Sequence, residues 1–494
     1  MSMIQKLEDG FDKVVGILSP ETAMRRGKMR AIARSRLYDA ATKGRRGDGF
    51  RPIQDGPRES LKGLATLRQR SRDLSRNNGY HQKAIAAIKA NTIGTGIVLQ
   101  IRPTRKNGKA DIIDLWKRWS ESTACDFDGV STFAGLQDIA MGTIPESGEV
   151  IIRRIRQDSD YYRKTRQCPL QLQFLEPEYL NESKDQFGLR AGHEVVGGVE
   201  YNAKGQRVAY HLYTSHPSSQ IYPKSVRVPA EDIIFVYRMD RTGQLRGVPW
   251  GASVMLNLHD LDGYEDAELL RRKIAACYAA FITKPEGDGS EADASDITMI
   301  DRLEPGLIQE LAPGESVAFG NPPQITGYQE YSTAVLHKIA SGYQVPYSVL
   351  TGDFSQVNYS SGRMGWLEFQ RVIDQWRWNM LVPRMLNPIW AWFQEAAELI
   401  GVTSNSVTAD WTAPRREMVD PSKEIEAIIM SVKAGLISMP EALREMGYEP
   451  KTTLDEIQDW NADLDARKII LDSDPRKDPK RLTAENIANR PQTV

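Results

Sequence analysis

Nowhere in its 494 residues does the chain carry a run of about 18 apolar residues, the length a bilayer-crossing helix needs, so no transmembrane span is expected. Residues 1–20 interleave Glu8, Asp9 and Asp12 with their apolar side chains and lack the unbroken apolar segment of a signal peptide. The expectation is a protein that stays in the compartment where it is made. Cysteine is scarce. Cys125, Cys168 and Cys277 are far apart and form no Cys-x-x-Cys pair, which excludes a disulfide framework and suits small buried hydrophobes in a reducing cytoplasm.

Catalytic motifs are missing too. No Gly-x-x-x-x-Gly-Lys-Ser/Thr loop is present to cradle a nucleotide phosphate. Gly94-Thr-Gly96 lacks the third glycine of a dinucleotide fingerprint and leads into a β-like run. There is no His-Glu-x-x-His, and the histidines at 81, 193, 211, 216, 259 and 337 form no ligand pair at helical spacing. The densest carboxylate group is Asp260, Asp262, Glu265, Asp266 and Glu268. Those acids fall on one helix with no partner strand to complete a two-metal site, so a solvated or interface face is the plainer reading. Ser360-Ser361-Gly362-Arg363 fails the nucleophile-elbow spacing; one of its serines reads better as a helix cap. No catalytic residue, metal or cofactor is expected.

What is present is an ordinary folded composition, 40% apolar and 26% charged, in a chain too long for one core. The net charge of −1 hides a split. Residues 1–80 hold 18 Lys and Arg against 9 Asp and Glu, so the rest is acidic by about ten. The basic stretch, with Arg25, Arg26, Lys28, Arg30, Arg34, Arg36, Arg45 and Arg46, fits a solvated arm or contact with nucleic acid or an acidic partner. A near-neutral whole argues against a high-affinity DNA binder.

The pattern along the chain predicts an α+β protein. Residues 1–55 read as an arm. Helical spacing follows over 71–93 and around Trp116 and Trp119. Residues 140–240 hold β-branched and alternating runs (149–155, 170–175, 233–237) and a hairpin around Asn202-Ala-Lys-Gly205, read as one antiparallel sheet on neighbouring helices. Helical spacing resumes from Val254 to Phe281 and suggests one helix of about 30 residues, about 45 Å long. Residues 284–327 are rich in Gly, Pro and acids, with short strands near Ile308 and over 316–319. A helix over 329–343, a polar loop over 345–361 and a helical stretch over 362–400 come next. Pro383 and Pro388 should kink or interrupt that stretch. A strand over 406–411, helices over 421–434 and 440–446, and a charged, disordered tail close the chain.

Several fragments in this order resemble the lambda-type portal family of tailed phages: Pro145-Glu-Ser-Gly-Glu-Val-Ile-Ile-Arg153, Phe174-Leu-Glu-Pro-Glu178, Arg246-Gly-Val-Pro-Trp250, Leu303-Glu-Pro-Gly306 and Leu350-Thr-Gly-Asp-Phe-Ser-Gln-Val-Asn-Tyr-Ser-Ser361. The likeness covers roughly residues 30–450. It implies a dodecameric ring forming the DNA channel at a unique capsid vertex, for packaging, head–tail connection and ejection. The implied domains are an arm (1–55), wing (56–250), first stem helix (251–283), clip (284–328), second stem helix (329–344), tunnel loop (345–361), kinked helix with a returning wing strand (362–411), crown (412–470) and tail (471–494). On this resemblance Asp353, Phe354, Ser355, Gln356, Asn358 and Tyr359 face the DNA, and Glu304, Glu310 and Glu315 dock the large terminase subunit and later head-completion or adaptor proteins. Major capsid and scaffold proteins are further implied partners, with no membrane. The implied location is the virion, after assembly in the host cytoplasm. Trp366, Trp376, Trp390 and Trp392 are candidates for burial between subunits, with ordinary core the simpler reading. The competing readings are a packaging-pathway nuclease or hydrolase and a scaffold or shell protein.

Overall fold

Asn78 divides the first helical stretch. Its backbone is extended (φ −117°, ψ 115°) and its side chain accepts from the His81 amide, so one predicted helix becomes two, α1 (Leu64–Asn77) and α2 (Gly79–Thr92). The computed structural model describes residues 61, 63–103, 111–189, 192–219, 224–276, 280–283, 308–311, 327–402, 407–415, 418, 420–448 and 450–469. All of them belong to the larger of two units, Ser60–Val494. The arm, most of the 284–326 segment and the tail lie outside the described residues, as do Glu304, Glu315 and the 316–319 strand.

Residues 140–240 form two sheets rather than one. Helix α4 (Phe133–Ser147) takes the first part of that span, because Phe133, Leu136, Ala140, Met141 and Ile144 recur at helical spacing and are buried. Gly148 then stops it in the left-handed region (φ 93°), and strand β2 (Glu149–Arg156) starts at once. Strand β2 is central to an antiparallel sheet in the order β3-β2-β8, with β3 Leu170–Leu175 and β8 Ile233–Tyr237. A second sheet runs β4-β5-β6-β7 (Glu194–Val196, Val199–Tyr201, Arg207–Tyr213, Ser225–Pro229). The expected hairpin is its centre: Asn202 accepts from the Lys204 and Gln206 amides, and Gly205 takes φ 77°.

The main core joins helices from both ends of the chain. Strand β1 (Val98–Pro103) pairs antiparallel with β11 (Val407–Thr412). Helix α3 (Asp111–Ser120) buries Trp116, whose ring meets Phe393 at 4.9 Å, Trp390 at 5.3 Å and Trp411 at 6.2 Å, all edge to face. Trp376, Trp390 and Trp392 are therefore core of this chain, and Trp366 packs against the same core partly buried. Cys125 and Cys168 are buried free thiols, each pushed up to about 12 by burial. A short helix, α5 (Ser159–Thr165), sits between β2 and β3.

The helix predicted over 251–283 is shorter. A 3-10 turn covers Trp250–Ser253, α6 spans Met255–Ala276, and Ala280–Thr283 is strand β9. Phe281-Ile-Thr283 favours an extended backbone, and β10 (Ile308–Leu311) offers it a parallel partner. Helix α7 (Tyr328–Tyr343) returns beside α6, and Asn78 Nδ2 donates to Asp262 on α6 at 2.9 Å. After α8 (Tyr347–Thr351) and an exposed link comes α9 (Tyr359–Trp376), which begins three residues before the expected start. Helix α9 passes through a π-helical segment, Arg377–Leu386, into α10 (Asn387–Leu399). Pro383 lies inside the π segment, so the interruption expected of it takes the form of a register change. Helices α11 (Pro421–Lys433), α12 (Met439–Glu445) and α13 (Pro450–Arg467) follow, the last unforeseen in the sequence. No helix among the described residues is long and apolar enough to cross a membrane.

Candidate functional site

The expected DNA-facing residues fall in one exposed stretch held at both ends. At the near end, Leu350 is buried, Gly352 closes α8 with φ 74°, and His337 of α7 stacks on Tyr347 at 4.1 Å. At the far end, Asn358 caps α9: its side chain accepts from the Ser361 amide at 2.9 Å, and the Ser361 hydroxyl accepts from the Asn358 amide at 3.1 Å. The cap is thus the asparagine, with a serine as its reciprocal partner. Tyr359 consequently belongs to the first turn of α9 and not to the loop.

Between these ends the Ser355 amide donates to the Asp353 carboxylate at 2.9 Å, and Val357 N donates to Phe354 O at 3.0 Å. Hydrogen bonds from Ser355 hold the Asp353 carboxyl below its ordinary range, so the loop carries a fixed negative charge. Phe354 and Tyr359 keep 61% and 53% of their surface exposed, and Ser355, Gln356 and Asn358 are exposed beside them. The loop overhangs a groove of about 710 Å³ lined by Thr333, His337, Tyr347, Phe354, Val357 and Trp366. Of the expected docking acids, only Glu310 has a described backbone, in β10.

The elements behind the loop are locked by buried polar contacts. At the start of the π segment Arg377 donates to the last carbonyls of α2, Thr92 O and Asn91 O, each at 2.7 Å. Arg384 reaches Tyr237 O at 3.0 Å, and Trp392 Nε1 donates to Glu231 O at 3.0 Å. On α7, buried Tyr343 hydrogen-bonds His81 of α2, whose pKa burial lowers to about 4.

Sequence reasoning missed a buried ionic node. Arg246 donates to both Glu149 oxygens and to Glu182 at 2.8 Å, while Gly247 N donates to Glu149 at 2.7 Å. Arg68 of α1 binds Glu178 at 3.2 Å and also Glu182, and Arg72 binds Glu178 at 2.8 Å. Burial alone would lower the Arg246 pKa, but Glu149 and Glu182 outweigh it and hold the guanidinium charged. Three of the fragments that carry the resemblance, 145–153, 174–178 and 246–250, converge here. The available signal was charged residues inside otherwise apolar segments. The five acids of α6 hold no metal arrangement; Asp262 accepts from Asn78, Glu265 from Tyr328, and Glu268 pairs with Arg271 and Arg272. Among the described residues no group of three or more His, Cys, Asp or Glu could hold a metal ion.

The family model described as phage portal protein, lambda family, matches residues 43–377. The chain belongs to the lambda family of phage portal proteins. It is a portal protein of the capsid vertex, as the resemblance implied. Its relatives include the probable portal protein of Halomonas phage phiHAP-1, 25% identical over 452 residues, 86% of this chain and 84% of that one. The portal protein of Escherichia phage N15 is 24% identical over 437 residues, covering 76% and 80%. Portal protein B of Escherichia phage lambda is likewise 24% identical, over 443 residues, with the same coverage. Among solved structures, a chain from the neck of a native gene transfer agent particle, computed with C12 symmetry, aligns with a TM-score of 0.43 at 17% identity, covering 82% of this portal chain and 98% of its own. Portal proteins of this family are structural components.

Proposed function

We propose that twelve copies of this portal chain close into a ring and that the 352–359 stretch lines its DNA channel. The carrying observation is the exposed loop, fixed by α8 on one side and the Asn358 cap on the other, with amide, hydroxyl and aromatic groups and one negative charge. A wall past which duplex slides must not neutralise many phosphates, because each neutralised phosphate adds affinity. Asp353, Phe354, Ser355, Gln356, Asn358 and Tyr359 supply contact without cationic grip. Helices α6 and α7, joined through the 284–326 segment, would be the stem and clip; Glu304, Glu310 and Glu315 would meet the terminase large subunit and then adaptor proteins. The sheets before residue 250 would be the wing against capsid and scaffold proteins, and α11–α13 the crown. The protein works without catalysis or cofactor, assembles in the host cytoplasm and ends in the virion.

Electron microscopy of the purified protein tests the ring: end-on averages with about twelve subunits around a duplex-wide hole are expected, and open sheets or shells would overturn the reading. For the loop, Ser355→Ala with Gln356→Ala and Asn358→Ser keeps a capping residue and should leave rings intact while altering DNA packaging. Unchanged packaging after deletion of residues 353–357 would remove the loop from the channel.

A further inference from the structure

We infer that the last turns of α3 and α5 form a second nucleic-acid contact, a phosphate-binding patch apart from the loop. Lys117 and Arg118 end α3, and Lys164 and Arg166 end α5. All four side chains are exposed, and none has an ion-pair partner among the described residues. The fold brings the two helix ends together. The Arg118 guanidinium donates to Arg166 O at 3.4 Å, and buried Trp119 anchors α3 by donating to Leu170 O at 2.8 Å. Arg166 itself turns out of α5 in the left-handed region, φ 53°.

Four like charges on adjacent helix ends repel one another. The weak negative ends of two helix dipoles and the acids one turn back, Asp114 on α3 and Asp160 on α5, offset them without forming an ion pair among the described residues. Phosphates of an external polyanion would supply the ion pairs that these four side chains lack within the chain. Ser122, Thr165 and Gln167 are exposed among the basic groups, which is the Lys, Arg, hydroxyl and amide mixture that holds phosphodiester oxygens. The centre of a protein–protein contact is instead depleted in charge, so duplex backbone is favoured over an acidic protein. This patch goes beyond the channel reading. A channel loop must let DNA move, whereas these groups would hold it in place.

The assay uses assembled rings and covalently closed circular duplex, which cannot thread a closed ring, with binding measured across a salt series. The native protein should bind the circles. Neutralising the patch (Lys117→Gln, Arg118→Gln, Lys164→Gln, Arg166→Gln) should reduce the slope of log K against log salt by about 3 to 4, since each phosphate contact contributes about 0.9. Equal binding by native and neutralised rings would overturn the proposal, as would patch-dependent binding of polyglutamate without binding of circles. Should the fourfold variant fail to assemble, lysine modification of native rings decides: circles should protect Lys117 and Lys164, and unaltered labelling would refute the patch. Linear duplex entering neutralised rings would leave the channel reading standing, and an absence of rings would sink that reading alone.

Discussion

Gly148 and Gly247 lie back to back where α4 gives way to β2: a Cβ on Gly148 would stand 2.8 Å from the Gly247 carbonyl oxygen. This contact lets the Glu149 carboxylate reach both Gly247 N and the Arg246 guanidinium. The turn and the ionic node are therefore one construction, and any side chain at either glycine forces them apart.

Gly247→Ala should lower unfolding stability by about 3 kcal/mol, the upper range for overpacking a rigid interior. Gly263→Ala is the contrast. A Cβ there meets nothing within 4 Å, and the position is inside α6, so a gain of up to about 1 kcal/mol is expected. Thermal unfolding of the two variants checks both signs.

Removing one partner of the node should cost more than removing a surface ion pair. Arg246→Met leaves Glu149 buried without its guanidinium, and a loss of about 3 to 5 kcal/mol is expected. Arg76→Ala, which breaks an exposed pair with Asp73, should cost under about 1 kcal/mol. Denaturant midpoints at constant m distinguish these outcomes.

Stability should fall with acid through His81. Its folded-state pKa of about 4 lies below the ordinary 6.5, so the unfolded chain takes up the proton first as pH drops. The contribution is complete above about pH 6.5 and is lost progressively down to about pH 4, with each pH unit across that window worth about 1.4 kcal/mol. His81→Gln should flatten the stability profile there. An unchanged slope would show that other groups carry it.

Asn358→Ala should remove the side-chain half of the capping box, leaving the residue 358 amide on the Ser361 hydroxyl, and cost about 1 kcal/mol, felt locally. Amide exchange should quicken at residues 359–362 while the global unfolding midpoint moves little. Faster exchange throughout α9 would mean that the cap supports the whole helix.

Periodicity in the sequence placed α3, α7 and β3 close to their ends, because each buries one regular stripe or face; α11 was placed too, although none of its residues is buried. It misjudged residues 280–283, where local apolar spacing continues but a parallel partner, β10, decides for strand. It also missed α4, whose small and apolar residues read as sheet until Phe133 and Ile144 are seen buried together. The loop was legible as a polar interval between helices, but its true cap was not, since Asn358 and both following serines are equally suited by type.

The sequence alone determined the class of protein: no spanning segment, no nucleotide loop, no disulfide framework, and ordered fragments of one phage family. Those are properties of composition and local order, which short stretches carry by themselves. Only the tertiary structure decided that 145–153, 174–178 and 246–250 meet at one ionic node, and that the end of α3 meets the end of α5 at Arg118 and Arg166. Ion pairs between residues about a hundred positions apart, such as Glu149 and Arg246, leave no periodic trace. Their energy depends on burial and distance, which the whole fold sets.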